Sequence, residues 1–311
     1  MSAITLKNLS YTYSKKTPYE KLALDNINLE IQEGEFVGLV GATGSGKSTL
    51  IQHLNGLIKT QEGEVEVAGM NAKDKKTLKK LRFTVGMVFQ YPEYQLFEDT
   101  VAKDIAFGPK NMKLSKEEID RRVRNAMEVV GLPYEIFAER SPFELSGGEK
   151  RRAAIAGVIA MEPQILVLDE PVAGLDPAGR REILELIAKL KKEVSPTIIM
   201  VSHYMDDIAA MATRIVALKD GKIVADGAPE RVFGDREKAR EAGLDLPSAA
   251  KIADRLRARG IDVSTEIVTL GQLAEALGRI ADERGLANAY DGNGKELPTV
   301  AENATEEGSD V

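Results

Sequence analysis

The sequence of 311 residues contains no cysteine and no tryptophan, and only two histidines. Without cysteine the chain has neither a disulfide framework nor a thiolate metal site, a composition compatible with a reducing cytoplasm. No window approaches the roughly 20 apolar residues that a membrane-spanning helix needs, and the first residues lack the apolar run of a signal peptide. We therefore expect a protein that is soluble, or that is held at a membrane by its partners.

Basic residues are fewer than acidic residues. Lysine and arginine number 42 against 49 aspartates and glutamates, which gives a formal net charge of −7 at pH 7. Binding of nucleic acid depends mainly on neutralising phosphates, so this balance argues against a nucleic-acid partner. With 43% hydrophobic residues the chain is long enough for one large domain and a smaller piece.

The hydrophobic pattern alternates between strand-like and helix-like segments. Residues 165–168 and 197–201 are continuous apolar runs, which are typical of strands buried on both faces of a parallel sheet. The other predicted strands are 3–7, 28–40 with a turn at 33–34, 63–69, 85–89 and two near 214–225; the predicted helices are 48–59, 115–130, 150–161, 180–192, 248–259 and 269–283. The predicted fold class is therefore α/β, with a mixed, largely parallel core sheet and some antiparallel strands early and late.

The composition changes after about residue 230. Prolines and glycines loosen the stretch 228–247, and a predicted amphipathic helix with Ile252 and Leu256 in phase follows it. From about Asn288 the chain is rich in glycine, asparagine and glutamate, which predicts a disordered acidic tail. We predict three parts: a large domain over 1–230, a helical extension over 231–287 and the tail over 288–311.

A phosphate-binding loop, GATGSGKST, lies between the apolar run 36–40 and the predicted helix 48–59. Its glycines let backbone N–H groups surround a phosphate, and the helix adds its positive end. Lys47 supplies a charge to the β and γ phosphates, and the Ser48 hydroxyl is placed to ligate Mg²⁺. The alternative is a chance glycine-rich turn. We call residues 41–49 the phosphate loop and predict nucleotide contacts from Gly41, Ala42, Thr43, Gly44, Ser45, Gly46, Lys47, Ser48 and Thr49.

Two acidic residues, Asp169 and Glu170, follow the apolar run 165–168. A carboxylate at the end of such a strand holds the metal beside a phosphate loop, directly or through water, and we assign that role to Asp169. Ligands bind at the carboxyl ends of strands in open α/β sheets, so Glu170 can orient or deprotonate the attacking water. The alternative is a solvated acidic loop before Pro171.

A second anion-binding segment, LSGGE at 145–149, opens the predicted helix 150–161, and we call it the signature segment. Ser146 and the backbone amides of Gly147 and Gly148 at a helix N-terminus would bind an anion. One chain binds one ATP and already has one phosphate loop. This site would therefore contact the γ-phosphate of the ATP held by another subunit. The alternative is simple capping of the helix by Ser146.

These motifs, together with Gln90, Asp176 and His203, occur in the order found in ATP-binding-cassette (ABC) ATPases, and residues 1–230 resemble one complete cassette. The resemblance implies a P-loop ATPase with an early antiparallel β subdomain, a helical signature subdomain and a small C-terminal helical extension. It also implies ATP and Mg²⁺ as cofactors.

Two longer phrases narrow the resemblance. VFQYPEYQLFEDTVAKDIAFGPKN at 88–111 and LSGGEKRRAAIAGVIAMEPQILVLDEPVAGLDP at 145–177 resemble the ATPase subunits of energy-coupling factor transporters. DEPVAGLDP is more similar to the second of that family's two paired ATPases. The family imports vitamins or transition-metal ions, so the resemblance implies a subunit that powers such uptake by hydrolysing ATP.

The resemblance assigns two further residues to catalysis and the metal. Gln90 would complete the Mg²⁺ shell with Ser48 and Asp169, and would sense the membrane partner; the alternative is a surface amide after a strand. His203 would hydrogen-bond the γ-phosphate and act with Glu170 and Lys47, and the alternative is an ordinary core or surface histidine.

It also assigns two residues at the edges of the site. Asp176 would contact the phosphate loop of the facing subunit, or would only cap the helix that follows it. Tyr13 would stack on adenine; because Tyr11 and Tyr13 share a strand face, packing within the strand is the alternative. His53, inside the helix after the phosphate loop, is expected to be structural.

The resemblance further implies a second ABC ATPase subunit, which is a paralogous chain or a second copy, and a peripheral position at the cytoplasmic face of the cell membrane. A membrane-embedded scaffold subunit and a substrate-capture subunit complete the expected assembly. Residues 92–99 would line the groove that receives scaffold helices, or Leu96 and Phe97 would only pack internally. The helices after Ser248 would add to the ATPase–ATPase interface or merely cover the core.

Two positions depart from the family pattern. Glu149 stands where the family usually has glutamine, which adds negative charge near the expected γ-phosphate site. Val172 stands where the family usually has threonine. Neither change removes a catalytic group.

Other classes of cassette protein fit less well. No sustained heptad pattern fills the segment between the phosphate loop and the signature segment, which argues against a DNA-maintenance ATPase with a long coiled coil. A single phosphate loop excludes a two-cassette translation factor, and Glu170 with His203 argues against a cassette that binds ATP without turnover. The remaining alternative is the ATPase of a different ABC transporter.

Overall fold

Two β-sheets form the frame of the protein, which we describe from a computed structural model covering residues 1–195 and 197–283. The predicted acidic tail, 288–311, lies outside the described residues. The strands are β1 Ser2–Tyr13, β2 Lys21–Gln32, β3 Phe36–Val40, β4 Glu62–Val67, β5 Met70–Asn71, β6 Val85–Val88, β7 Ile165–Asp169, β8 Thr197–Val201, β9 Arg214–Lys219 and β10 Lys222–Gly227.

Helices flank both sheets and fill the segments between the strands. They are α1 Lys47–Leu54, α2 Leu78–Thr84, α3 Val101–Ile105, α4 Phe107–Asn111, α5 Lys116–Val129, α6 Tyr134–Phe137, α7 Gly147–Ile159, α8 Pro177–Glu193, α9 Met205–Met211, α10 Pro229–Gly234, α11 Arg236–Glu241, α12 Ser248–Ala258 and α13 Leu270–Glu283. None of the described helices is both long enough and apolar enough to cross a bilayer.

The central sheet has the strand order β10-β9-β3-β8-β7-β6. Its neighbours from β9 to β6 pair in parallel, whereas β10 pairs antiparallel with β9. The second sheet, β2-β1-β4-β5, is antiparallel throughout. This arrangement confirms the predicted α/β class with a largely parallel core and antiparallel strands early and late in the chain.

Alternating side chains of the central strands supply two separate cores. In β3, Phe36 and Val40 point to a core shared with the helical layer. Val37 and Leu39 point to the opposite face, where α1 and the antiparallel sheet form the second core. Because every residue of β3 is buried, its uninterrupted apolar sequence is explained by burial on both faces.

The parallel pairing brings four chain segments to one edge of the central sheet. Parallel strands have their carboxyl ends at the same edge, and each connection begins there. The phosphate loop follows β3, Gln90 follows β6, Glu170 follows β7 and His203 follows β8. Residues far apart in sequence are thereby placed around a common site.

The helix after the phosphate loop is shorter than predicted. It ends at Leu54, not at residue 59, and Leu57, which would lie within the predicted helix, is exposed. Gly56 adopts a left-handed φ of 67°, which a continuing helix does not allow. A Cβ at Gly56 would lie 2.6 Å from Leu78 Cδ2, so the chain turns at a point of close packing.

The predicted apolar face of α12 was also partly wrong. Leu256 packs as predicted, but Ile252 is 38% exposed and the buried contacts come instead from Ala249 and Ala253. Small alanine side chains allow close approach of neighbouring elements, which the periodicity of larger residues did not reveal.

The C-terminal part is packed in two ways. Phe233, Leu244 and Val268 belong to the core of the helical layer, whereas Ala249 and Ala253 of α12 form a small third core with α13. The domain boundary at residue 230 remains a prediction. Helix α10, which spans it, packs into the core of the large domain.

We predict that Phe233→Ala lowers the free energy of unfolding by about 3–5 kcal/mol, because it leaves a cavity at a fully buried site. The matched control is Phe143→Ala, since Phe143 is 68% exposed, and its effect should stay within about 0.5 kcal/mol. Denaturant unfolding of both variants measures the difference, and equal losses would contradict the packing described for Phe233.

Candidate nucleotide site

Two glycines shape the phosphate loop through close backbone packing. Gly41 has φ 141°, and a Cβ there would lie 2.1 Å from the carbonyl oxygen of Leu218. Gly46 has φ 109°, and its Cβ would lie 2.6 Å from the carbonyl oxygen of Ala23. The loop is thus pressed against β9 and β2, and only residues without a side chain fit at these positions.

Lys47 lies buried across its own loop. Its Nζ donates hydrogen bonds to the carbonyl oxygens of Gly41 at 2.7 Å and Ala42 at 3.0 Å. Burial lowers the pKa of Lys47, and the negative charges of Glu170 and Asp169 oppose that shift. The ammonium group is therefore held where the phosphate loop meets the acidic end of β7.

The backbone at Glu170 has an unusual conformation. Its φ is 51°, in the left-handed region that side chains rarely adopt. The Glu170 N–H donates to the carbonyl of Val201 at 3.0 Å, and the Glu170 carbonyl accepts from the Ala173 N–H at 3.1 Å. These bonds hold the strained residue between β8 and the next turn, a pattern found at functional sites.

The Glu170 carboxylate is nearly buried and incompletely bonded. Its Oε1 lies 3.2 Å from His203 Nε2 but outside the angular range of a hydrogen bond, and it has no hydrogen-bond partner among the described residues. Burial raises the pKa of Glu170 to about 7, and the nearby charge of Asp169 adds to the effect. A buried carboxylate oxygen without a partner can accept a proton or a hydrogen bond from a small molecule.

His203 completes this group on its solvent side. The side chain is about half exposed. Burial of its ring and the positive charge of Lys47 lower the pKa of His203 below its ordinary value. The imidazole is therefore predominantly uncharged at neutral pH, and one ring nitrogen can donate while the other accepts.

The three predicted metal-binding residues carry side-chain oxygen atoms and lie at the carboxyl edge of the central sheet. Ser48 and Gln90 have exposed side chains, and neither side chain makes a hydrogen bond within the part of the chain that the structure describes. Burial raises the pKa of Asp169, and the charge of Lys47 opposes that shift. These are the hard oxygen donors that Mg²⁺ prefers.

Tyr13 lies beside the phosphate loop, and Tyr11 lies behind it. The Tyr13 hydroxyl is 3.1 Å from Thr49 Oγ1, and the ring borders a cleft of about 180 Å³ with residues of the loop. Tyr11 packs edge-on against the Tyr13 ring, 4.8 Å between centroids, and against the buried ring of His53, 5.0 Å between centroids. His53 accordingly occupies a structural position in α1.

Lys21 also borders this cleft, and the sequence analysis missed it. It pairs with Tyr13 across the β1–β2 ladder, and its Nζ would be 3.9 Å from a Cβ at Gly44. A single lysine at the start of a strand forms no motif. The only available signal was the register of the hairpin, which sequence periodicity leaves undetermined.

The signature segment begins α7 with a complete capping box. Ser146 Oγ accepts from the Glu149 N–H at 3.3 Å, and Glu149 Oε2 accepts from the Ser146 N–H at 2.7 Å. The first amides of a helix have no carbonyl partner within it, and this leaves those of Gly147 and Gly148 available. No hydrogen bond or ion pair between described residues joins the signature segment to the phosphate loop of the same chain.

Asp176 has the geometry of a helix cap. Its side chain is exposed, and Oδ1 accepts from the Gly179 N–H at 2.7 Å at the start of α8. The carboxylate is thus fixed at the surface by its bond to the start of α8.

Comparison with known proteins decides the family. Residues 24–173 match the ABC transporter family. The chain is 54% identical over 276 residues to the energy-coupling factor transporter ATP-binding protein EcfA2 of Clostridium perfringens, covering 88% of this chain and 97% of that protein. The EcfA2 protein of Clostridium tetani is 50% identical over 283 residues, covering 91% and 98%. The chain belongs to the energy-coupling factor transporter ATP-binding protein family.

Solved structures agree with this family assignment. Clostridium perfringens cbiO1, part of the ABC transporter complex cbiONQ, has a TM-score of 0.69 at 38% identity and covers 82% of this chain and 99% of its own. The dimeric cassette MJ0796 bound to ADP and Pi has a TM-score of 0.63 at 34% identity, covering 73% and 98%. The predicted ABC ATPase fold, the ATP-hydrolysing transport function and the likeness to the second paired ATPase are confirmed.

We predict that Gly46→Ala weakens ATP binding by about tenfold or more, because its Cβ collides with a backbone carbonyl and forces the phosphate loop to move. Gly69→Ala is the control, since Gly69 also has positive φ but nothing lies within 4 Å of its Cβ position. Calorimetric titration with ATP measures both affinities. Unchanged binding by the Gly46 variant would contradict the described role of the loop.

Proposed function

We propose that this ATPase works as half of a two-chain assembly in which each ATP is bound by two cassettes. The observation that carries the proposal is the separation of two anion-binding features within one chain. The phosphate loop lies at the edge of the central sheet, and the exposed helix tip at Ser146 belongs to the helical layer. The dimeric MJ0796 cassettes, similar to this chain over 73% of its length, support such an arrangement.

On the chain that binds the phosphates, the phosphate loop and Lys47 offset the negative charge of ATP. Tyr13 stacks on the adenine, because its ring borders the cleft beside the loop, whereas Tyr11 is turned toward His53. Lys21 adds a further positive charge at the rim of that cleft. Asp176, held at the surface by its cap, contacts the phosphate loop of the facing chain.

Mg²⁺ fits the donor set of Ser48, Gln90 and Asp169. Within the described residues, no cluster of three or more acidic or histidine side chains could hold a metal unaided. Phosphate oxygens would therefore complete its shell. When bound, the metal neutralises phosphate charge as hydrolysis proceeds.

Hydrolysis itself depends on Glu170 and His203. Glu170 orients the attacking water through its unpartnered Oε1 and accepts its proton. His203, uncharged and half exposed, donates a hydrogen bond to the γ-phosphate. Ser146 and the free amides of the partner's signature segment hold the same phosphate from the other side, so the closed dimer prefers ATP over its products.

The coupling surface is an apolar groove in the helical layer. Phe97 and Phe107 are exposed and pack edge-on, 5.0 Å between ring centroids, beside a cleft of about 420 Å³. Exposed apolar patches mark interaction sites, and we assign this one to helices of a membrane-embedded scaffold subunit. The chain is thereby held at the cytoplasmic face of the membrane.

The assembly would contain a second ABC ATPase, which is a paralogous chain or another copy, and a separate substrate-capture subunit. That subunit selects the vitamin or transition-metal ion. The helices α12 and α13 lie beyond the large domain, with Ile252 and Leu270 exposed, and contribute to the ATPase–ATPase contact.

Replacing Glu170 tests the catalytic assignment. Glu170→Gln should lower turnover by about 10²–10⁴-fold, because the amide cannot accept the proton of water. ATP affinity should remain, and ATP should now trap a dimer that light scattering detects. Glu185→Gln, an exposed position on α8, is the control. ATP turnover near the wild-type rate in the Glu170 variant would contradict the catalytic role of Glu170.

Replacing Glu149 tests the two-chain site. Glutamine keeps the capping box but removes a negative charge beside the expected γ-phosphate. Glu149→Gln should tighten ATP-driven dimerisation about fivefold, since a unit charge contributes about 1 kcal/mol in a solvated site. The dimerisation constant is measured in the Glu170→Gln background, with Glu185→Gln again as control. A constant that does not change would argue that no phosphate approaches Ser146.

A further inference from the structure

Arg151 is the largest of the fully buried side chains in the described part of the chain, with 2% of its surface exposed. It lies in the first turns of α7, shortly after the signature segment. A guanidinium group stays charged in proteins, and a buried charge needs a partner and hydrogen bonds. The partners of Arg151 are therefore held in fixed positions relative to α7.

One side of the guanidinium binds a carboxylate. Nε donates to Glu93 Oε2 at 3.1 Å, and Nη2 donates to Glu93 Oε1 at 2.9 Å. Such a bidentate pair fixes both distance and orientation. Glu93 lies in the short 3-10 turn Pro92–Gln95, which follows Gln90.

The other side binds the turn that follows Glu170. Nη1 donates to the carbonyl oxygens of Pro171 at 3.1 Å and Ala173 at 3.0 Å. Four of the five guanidinium N–H groups are thus directed at two different segments. Each segment begins next to a residue of the nucleotide site.

A second contact joins the same two turns. A Cβ at Gly174 would lie 3.3 Å from Tyr91 Cε1, so the Tyr91 ring packs directly on the turn after Glu170. Tyr91 has a left-handed φ of 54°, and its strained backbone starts the 3-10 turn. The turn Pro92–Gln95 therefore cannot shift without the turn after Glu170 shifting also.

We propose that Arg151 is a positioning residue that links nucleotide binding at Glu170 to the scaffold-facing groove. The inference rests on the proposed function, because the groove is assigned there. Movement of the turn after Glu170 is carried by the rigid guanidinium to Glu93. The neighbouring exposed residues, Tyr94 and Phe97, then move with that turn.

Stability alone does not account for this arrangement. Well-packed apolar residues often replace a buried ion pair at no cost in stability. The planar fork instead offers what an apolar side chain lacks, which is a fixed geometry toward two segments at once. A purely structural arginine would leave the response of the groove to ATP unchanged when its acidic partner is replaced.

The test is hydrogen exchange of the full chain with and without Mg²⁺ and ATP. In the wild type, ATP should slow exchange in a peptide covering residues 90–99 by about threefold or more. In Glu93→Gln this response should disappear, while ATP still protects a peptide covering the phosphate loop. Asp99→Asn is the matched control, because Asp99 lies in the same segment and, among the residues that the structure describes, forms an ion pair only with the exposed Lys103. It should behave as the wild type.

A second variant separates loss of the link from unfolding caused by an unpaired buried charge. Glu93→Leu with Arg151→Met removes both charges together, which buried pairs tolerate, and should lose the response at 90–99 as well. A full response at 90–99 in either variant would overturn the proposal, as would a wild-type chain whose 90–99 peptide ignores ATP. Failure of the two-chain site would be distinguishable, because the Glu170→Gln chain would then form no ATP-dependent dimer.

Discussion

Lys47, Asp169 and Glu170 bring one ammonium and two carboxyl groups together in a partly desolvated place, at the carboxyl edge of the central sheet. Asp169 and Glu170 oppose the fall in the pKa of Lys47 that burial causes, and Asp169 adds to the rise in the pKa of Glu170 that burial causes. The lysine is held by carbonyls of its own loop, and one buried oxygen of Glu170 has no hydrogen-bond partner in the described part of the chain. The arrangement suits a bound phosphate and a water molecule. The parallel strands position these three residues at their carboxyl ends.

The helical layer adds what that edge lacks. Its helix tip at Ser146 is capped internally by Glu149, which leaves the amides of Gly147 and Gly148 without a partner in the helix. In the proposed assembly this tip completes a site in another chain, so that catalysis would require assembly. Arg151, buried just behind the tip, binds both the turn after Glu170 and Glu93 in the turn Pro92–Gln95.

Regular elements could largely be predicted from sequence. The apolar runs at 165–168 and 197–201 predicted the strands that the structure has at Ile165–Asp169 and Thr197–Val201. Such strands are recognisable because burial on both faces requires an uninterrupted apolar sequence. The end of α1 at Leu54 and the exposure of Ile252 could not be predicted. They depend on close contacts, at Gly56 with Leu78 and along the alanines of α12, that leave no periodic trace.

The phosphate loop, the acidic strand end and the signature segment could be located from the sequence alone. Glycine-rich amides, a lysine and a carboxylate in that order are specific to phosphate binding. Only the tertiary structure decided how they are arranged. It placed Glu170 within 3.2 Å of His203, raised the pKa of Glu170 to about 7 through burial, and set Lys21 opposite Tyr13. Distance, register and desolvation arise when separate segments pack together, so a linear pattern cannot specify them.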